Sequence, residues 1–149
     1  MQHQRGERSL KRNMAFTLLP RIEAIDSCLI LRMLRNDLPE QSKKATELLL
    51  SGKDFYVSEA VISEVIYVMK KNNCKLSSTI DRLTTLLHNA MFVYDKKFFD
   101  PLFVEYVNHP SLSFEDLVIA KRAEEKNSVP LWTFDKKFAK QMEVARLLD

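Results

Sequence analysis

The chain has 149 residues, 46% of them hydrophobic and 29% charged, with only 2 Gly and 5 Pro. That is the length of one domain with enough apolar material for a core, and it excludes collagenous, linker-rich and disordered classes. No apolar run approaches the roughly 18 residues that span a bilayer, and the opening MQHQRGERSLKRNMAFTLLP lacks a secretory h-region of useful length. The formal charge of +3 resides in the first thirteen residues, where Arg5, Arg8, Lys11 and Arg12 face only Glu7, and the rest of the chain is balanced. Residues 1–19 therefore read as a basic tail ahead of a domain at 20–149, with Met14 an alternative start. Cys28 and Cys74 are too few for a disulfide framework. Cys28, beside an apolar helical run, reads as a buried thiol, and the expected compartment is a reducing cytoplasm.

Arg21 to Ile25 reads as a short strand ending at Asp26. Ser27 to Arg35, rich in Leu, Ile and Met, reads as a helix with a buried face. Pro39 opens a second helix that stops at Ser51-Gly52. Phe55-Tyr56-Val57 is a second strand, after which Ser58 caps the helix EAVISEVIYVMKK, ending in basic residues and Asn72 as a C-terminus should. Ser77 to Asn89 is helical, with Ile80, Leu83, Leu86 and Leu87 on one face. Met91 to Tyr94 is a third strand, and Lys96 to His109 a helix with a break expected near Pro101. Ser113 caps the next helix, Pro130 to Phe134 is a fourth strand running into Asp135, and Glu143 to Leu147 is a fifth. Short strands alternating with helices predict an α/β domain, a central parallel sheet of about five short strands flanked by helices on both faces.

Four acids stand out by placement. Asp26 and Asp135 each follow a strand, Asp116 lies in the first turn of a helix, and Glu64 lies in the middle of one. Asp is a favoured N-cap, and Ser113 to Asp116 fits a capping box, so capping accounts for each Asp taken singly. It does not account for Glu64, whose helical neighbours Ala60, Val61, Tyr67 and Val68 are apolar or aromatic, so a carboxylate there is expected to lose hydration. The structural alternative for Glu64 is a buried ion pair with Lys or Arg. Asp116 shares its face with Ile119, Ala120 and Ala123, which are expected to point inward. Ionised carboxylates sharing one pocket repel by several kcal/mol per pair at about 4 Å, and a hard divalent cation, Mg²⁺ or Mn²⁺, relieves that. Zinc is disfavoured because His3, His88 and His109 are scattered and neither Cys lies in a ligand spacing. An all-carboxylate metal site suits phosphodiester hydrolysis.

IDSCLILRML, SEAVISEVIYVM and SFEDLVIAKRAEEKN followed by LWTFDKKFAK resemble the PIN-domain family, in that order and over nearly the whole chain from about Arg21 to Leu148. The resemblance includes a Thr-x-Asp-x-x-Phe step at Thr133, Asp135 and Phe138. It implies a nuclease fold with a central parallel sheet and an acidic metal-binding pocket of Asp26, Glu64, Asp116 and Asp135, supported by Ser27 and Thr133. Among small single-domain members the likeness is to VapC-type toxins. That implies a ribonuclease of a toxin–antitoxin pair, a homodimer, held inactive by an antitoxin in its active-site groove. Two features depart from the family pattern: the tail through Leu19, and Ser128-Val129 where a glycine turn is common.

RNA binding needs cations near the pocket. Lys96, Lys97, Lys136, Lys137 and Lys140 are the candidates, and of these Lys136 and Lys137 follow Asp135 directly, against the alternative of a solvated helix surface. Three readings follow. The first is a metal-dependent endoribonuclease, a toxin leaving 5′-phosphate and 3′-hydroxyl ends as the family implies. The second is a PIN-like scaffold or RNA-binding subunit without activity, which the presence of all four acids opposes. The third is a phosphoryl-transfer or receiver-type α/β domain, which Glu64 in mid-helix fits poorly.

Overall fold

The computed structural model describes residues 22–148. The expected basic tail at 1–19, the alternative start Met14 and the first residue of the expected opening strand, Arg21, lie outside the described residues. The chain runs β1 (Ile22–Ala24), α1 (Ser27–Arg35), α2 (Pro39–Leu49), β2 (Asp54–Tyr56), α3 (Glu59–Lys71), α4 (Leu76–Leu87), β3 (Phe92–Val93), α5 (Lys96–Asn108), α6 (Phe114–Glu125), β4 (Leu131–Thr133), α7 (Lys136–Gln141) and β5 (Ala145–Leu147). None of the described helices is long and apolar enough to cross a membrane.

Local chemistry sets these boundaries. Asp26, Ser58, Asp95, Ser113 and Asp135 each stand one residue before a helix and accept a hydrogen bond from a backbone N–H of its first turn, satisfying donors that have no intrahelical partner. With glycine scarce, three helix-end turns use asparagine: Asn36, Asn73 and Asn127 adopt φ of 50°, 57° and 53°, the left-handed region that Asn tolerates better than other side chains. Asn127 thus takes the turn after α6, directly before Ser128-Val129. The expected break at Pro101 is absent, because α5 continues through it. Phe99, Leu102, Phe103 and Tyr106 flank Pro101 and are buried, and this packing holds the helix across the missing N–H.

All paired strands are parallel. In the first sheet the order is β1-β2-β3, with Glu23 opposite Phe55 and Phe55 opposite Phe92. The second sheet is β4-β5, with Thr133 opposite Leu147. The α/β class and the five short parallel strands agree with the sequence reading, but the strands divide into sheets of three and two rather than forming one. Strands of two or three residues contribute few ladder hydrogen bonds, so helix packing decides where they sit. Phe55 and Phe92 face the core, whereas Ile22, Tyr56 and Val93 on the other face are exposed; helical cover is therefore seen on one face among the described residues.

The core centres on α3, which packs against α1, α4 and α6. Ile62, Val65, Ile66 and Met69 form its buried stripe, the i, i+3, i+4, i+7 pattern of a helix face turned inward. α5 and α6 lie antiparallel. Phe114 at the start of α6 packs on Tyr106 near the end of α5, with centroids 5.3 Å apart. Arg122 near the end of α6 lies 3.5 Å over the ring of Phe98 near the start of α5.

Candidate active site

Each aspartate of the predicted set is held by a cap and by a buried neighbour. Asp26 follows buried Ile25 and precedes buried Ser27, and its Oδ1 accepts from Cys28 N at 3.0 Å. Asp135 Oδ1 accepts from Phe138 N at 3.0 Å, its own N–H donates to Thr133 Oγ1 at 3.0 Å, and buried Phe138 anchors the turn. Asp116 completes the predicted capping box: its N–H donates to Ser113 Oγ at 3.1 Å while its Oδ2 accepts from Ser113 N at 3.3 Å. Phe114, stacked on Phe103 at 5.9 Å, fixes that turn. In all three the cap engages one carboxylate oxygen, and the other accepts no hydrogen bond among the described residues. A cap and a ligand are therefore not exclusive roles for these side chains.

Glu64 differs from the sequence expectation. It is exposed, and so are Ala60 and Tyr67 beside it. The side chain keeps its hydration, and no ion pair involves it among the described residues, so neither the desolvated carboxylate nor the buried pair is found. The reason is tertiary: α3 has apolar residues on both faces, and the Ile62–Met69 stripe is the one that packs, leaving Glu64 opposite it. Cys28 is likewise exposed rather than buried. On α6, Ala120 is buried but Ile119 is half exposed, so the Asp116 face lies at the edge of the core. Lys136 and Lys137 are exposed.

The four acids lie on elements that meet only in part. α3 packs on both α1 and α6, so the helix of Glu64 lies between those that begin at Asp26 and carry Asp116. Asp26 and Asp135 end strands of different sheets. Arg122 ties the end of α6 to Asp95, which follows β3, and Asp116 lies six residues back along α6, about 9 Å of helix rise. Among the described residues no three His, Cys, Asp or Glu side chains are grouped closely enough to hold a metal ion. The donor type, carboxylate oxygen, suits Mg²⁺ or Mn²⁺, but the described arrangement does not assemble a binding cage.

Sequence reading missed a charged junction next to this edge. Arg122 donates to Glu59 Oε2 from Nε and Nη2 at 3.0 and 2.7 Å, to Glu125 at 2.6 Å and to Asp95 at 3.3 Å. Burial acts to lower the Arg122 pKa, but the carboxylates of Glu125, Glu59 and Asp95 outweigh it and raise the pKa further. Glu59 and Arg122 are 63 positions apart, so no local pattern could announce the pair.

A sequence model of the family described as "PIN domain" matches residues 24–143, a span that contains all four acids. A chain of the crystal structure of VapBC2 from Rickettsia felis, bound there to a DNA fragment from its promoter, is similar over 87% of this chain and 100% of its own, with 19% identity and a TM-score of 0.37. No curated protein matches the chain.

Proposed function

The chain belongs to the PIN domain family, whose members are generally nucleases, and from that premise we propose that it is a metal-dependent endoribonuclease acting as the toxin of a toxin–antitoxin pair. The observation that carries the reading is the capping geometry: Asp26, Asp116 and Asp135 are each pinned through one carboxylate oxygen with the other left over. In this reading those three and Glu64, which are not grouped as a cage among the described residues, would have to draw together on Mg²⁺ or Mn²⁺ to serve as its oxygen ligands. The ion would supply a hydroxide at neutral pH and charge compensation for the phosphodiester. Thr133 holds the backbone at Asp135, buried Ser27 follows Asp26, and Lys136 and Lys137 would approach the RNA backbone. The partners of this reading are an RNA substrate, a cognate antitoxin and a second copy of the chain, in the cytoplasm.

The test is purified protein incubated with RNA and Mn²⁺ or Mg²⁺, with EDTA as the control. The expected result is cleavage leaving 5′-phosphate and 3′-hydroxyl ends, abolished by EDTA. Thermal unfolding should also rise with added Mn²⁺ at ionic strength held constant, since a ligand that binds only the folded state stabilises it. RNA left intact under every metal condition rejects the nuclease. Cleavage without growth arrest on expression rejects the toxin but keeps the nuclease.

A further inference from the structure

Among the described residues three clefts of similar size can be compared, and their chemistry differs. One, about 450 Å³, sets Glu105, Glu124 and Glu125 against Lys97 and Lys121, and its Lys121 is already engaged by Glu105 and Glu124 at 3.2 and 3.3 Å. Its acids outnumber its bases by one, so it favours a phosphate less than a cleft with a net positive lining does. A second, about 370 Å³, sets Asp81 beside Arg82 and touches no acid of the proposed site. The third, about 330 Å³, lies between α1 and α2 with Asp26 on its rim.

This third cleft has the parts of a nucleotide site. Leu29, Ala45 and Leu48 give it an apolar floor. Arg32 and Lys44 line it as cations, and Lys44 makes no ion pair among the described residues. Arg32 is fixed rather than free: Asp37 holds its Nη1 at 2.6 Å, while its Nε is shielded from water without a partner. A guanidinium plane held at a cleft wall is a surface on which an unstacked base can lie. Gln41 adds an amide that can both donate to and accept from a base edge. The volume falls at the lower end of small-ligand sites.

We infer that the cleft between α1 and α2 binds the nucleotide of single-stranded RNA next to the bond cut at Asp26, with Lys44 on its phosphate, Arg32 against its base and Gln41 reading the base edge. This rests on the nuclease reading but is tested apart from it. Asp26 lines the cleft and is itself one of the proposed metal ligands, which gives the arrangement its logic: a base seated on Leu29 and Leu48 fixes which phosphate reaches the carboxylate. Selectivity then resides in the cleft rather than in the acids.

The test uses the full chain in EDTA, where binding is read without cleavage. A labelled short oligoribonucleotide is titrated by fluorescence anisotropy at several salt concentrations, and alkylation of Cys28, exposed on the same wall, is followed with iodoacetamide. RNA should slow Cys28 alkylation in the wild type. Lys44→Gln should weaken binding about fivefold and reduce the salt slope by about 0.7, the share of one phosphate contact on a single strand. Lys70→Gln, at the far end of α3, should change neither. Gln41→Ala should alter the preference among homopolymers. RNA binding with Cys28 protected, even where Mn²⁺ yields no cleavage, supports the cleft while the nuclease reading fails. Cleavage by a wild type whose Cys28 stays fully reactive, with Lys44→Gln binding at wild-type affinity and slope, overturns the cleft and leaves the nuclease. No RNA binding at all overturns both.

Discussion

Substituting the capping aspartates separates their structural role from the proposed chemical one. Asn caps a helix as well as Asp does, because the bond from the first turn needs one oxygen and the amide keeps it. What Asn loses is the negative charge. At Asp135, Ala removes the acceptor for Phe138 N, a loss of about 1 kcal/mol, and also the favourable charge at the helix start, about 0.5 kcal/mol. Asp135→Ala should therefore cost about 1.5 kcal/mol, roughly 6 °C of Tm at about 4 °C per kcal/mol for a domain of this size. Asp135→Asn should cost only about 0.5 kcal/mol. Asp26 behaves alike through Cys28 N. Asp95 is the control, a cap of the same kind on Phe98 N outside the proposed ligand set. Thermal unfolding and RNA cleavage with Mn²⁺ are measured on the same samples. The expectation is that Asp26→Asn, Asp116→Asn and Asp135→Asn unfold near wild type yet lose cleavage by a hundredfold or more, while Asp95→Asn still cleaves. If the three Asn variants cleave RNA at the wild-type rate, their carboxylates are caps only and the proposed ligand set is wrong.

Arg122→Ala should destabilise by about 2 kcal/mol, combining about 1 for the stack on Phe98 with a few tenths to 1 for each partly exposed ion pair. Arg122→Lys should recover less than half, since an ammonium cannot reproduce the bidentate fork; urea unfolding checks both, and a loss under about 0.5 kcal/mol for Ala would remove the brace. Tyr94 has its pKa raised, first by burial and then by its bond to Asp100 at 2.7 Å. The fold therefore holds this proton more tightly than the unfolded chain. The stabilisation is complete below about pH 10 and lost as pH rises further. Lys121, whose pKa burial would lower, is raised by Glu105 and Glu124 and adds to the same alkaline fall. Tyr94→Phe should flatten the stability profile above about pH 10, and an unchanged profile would show that the tyrosine does not contribute. Phe114→Ala, at the aromatic junction of α5 and α6, should cost about 3–5 kcal/mol, read as a lowered urea midpoint with unchanged slope.

Much of this protein was set by short-range chemistry. The helix starts at Asp26, Ser58, Ser113 and Asp135 could be read because a cap acts within three residues of itself. The capping box at Ser113–Asp116 and the short strands between helices were legible for the same reason. The family likewise followed from acids whose order along the chain is a property of sequence. The side a helix turns inward was not legible. On α3 the apolar residues surround the helix, so only packing against α1, α4 and α6 could select the Ile62–Met69 stripe and leave Glu64 in water. The break expected at Pro101 was overruled in the same way, by buried neighbours that hold α5 straight. The division of five strands into two sheets, the Arg122 junction and the cleft beside Asp26 all depend on contacts between separate elements, up to 63 positions apart for Arg122 and Glu59. Their free energy depends on which surfaces meet, and a linear pattern carries no record of that.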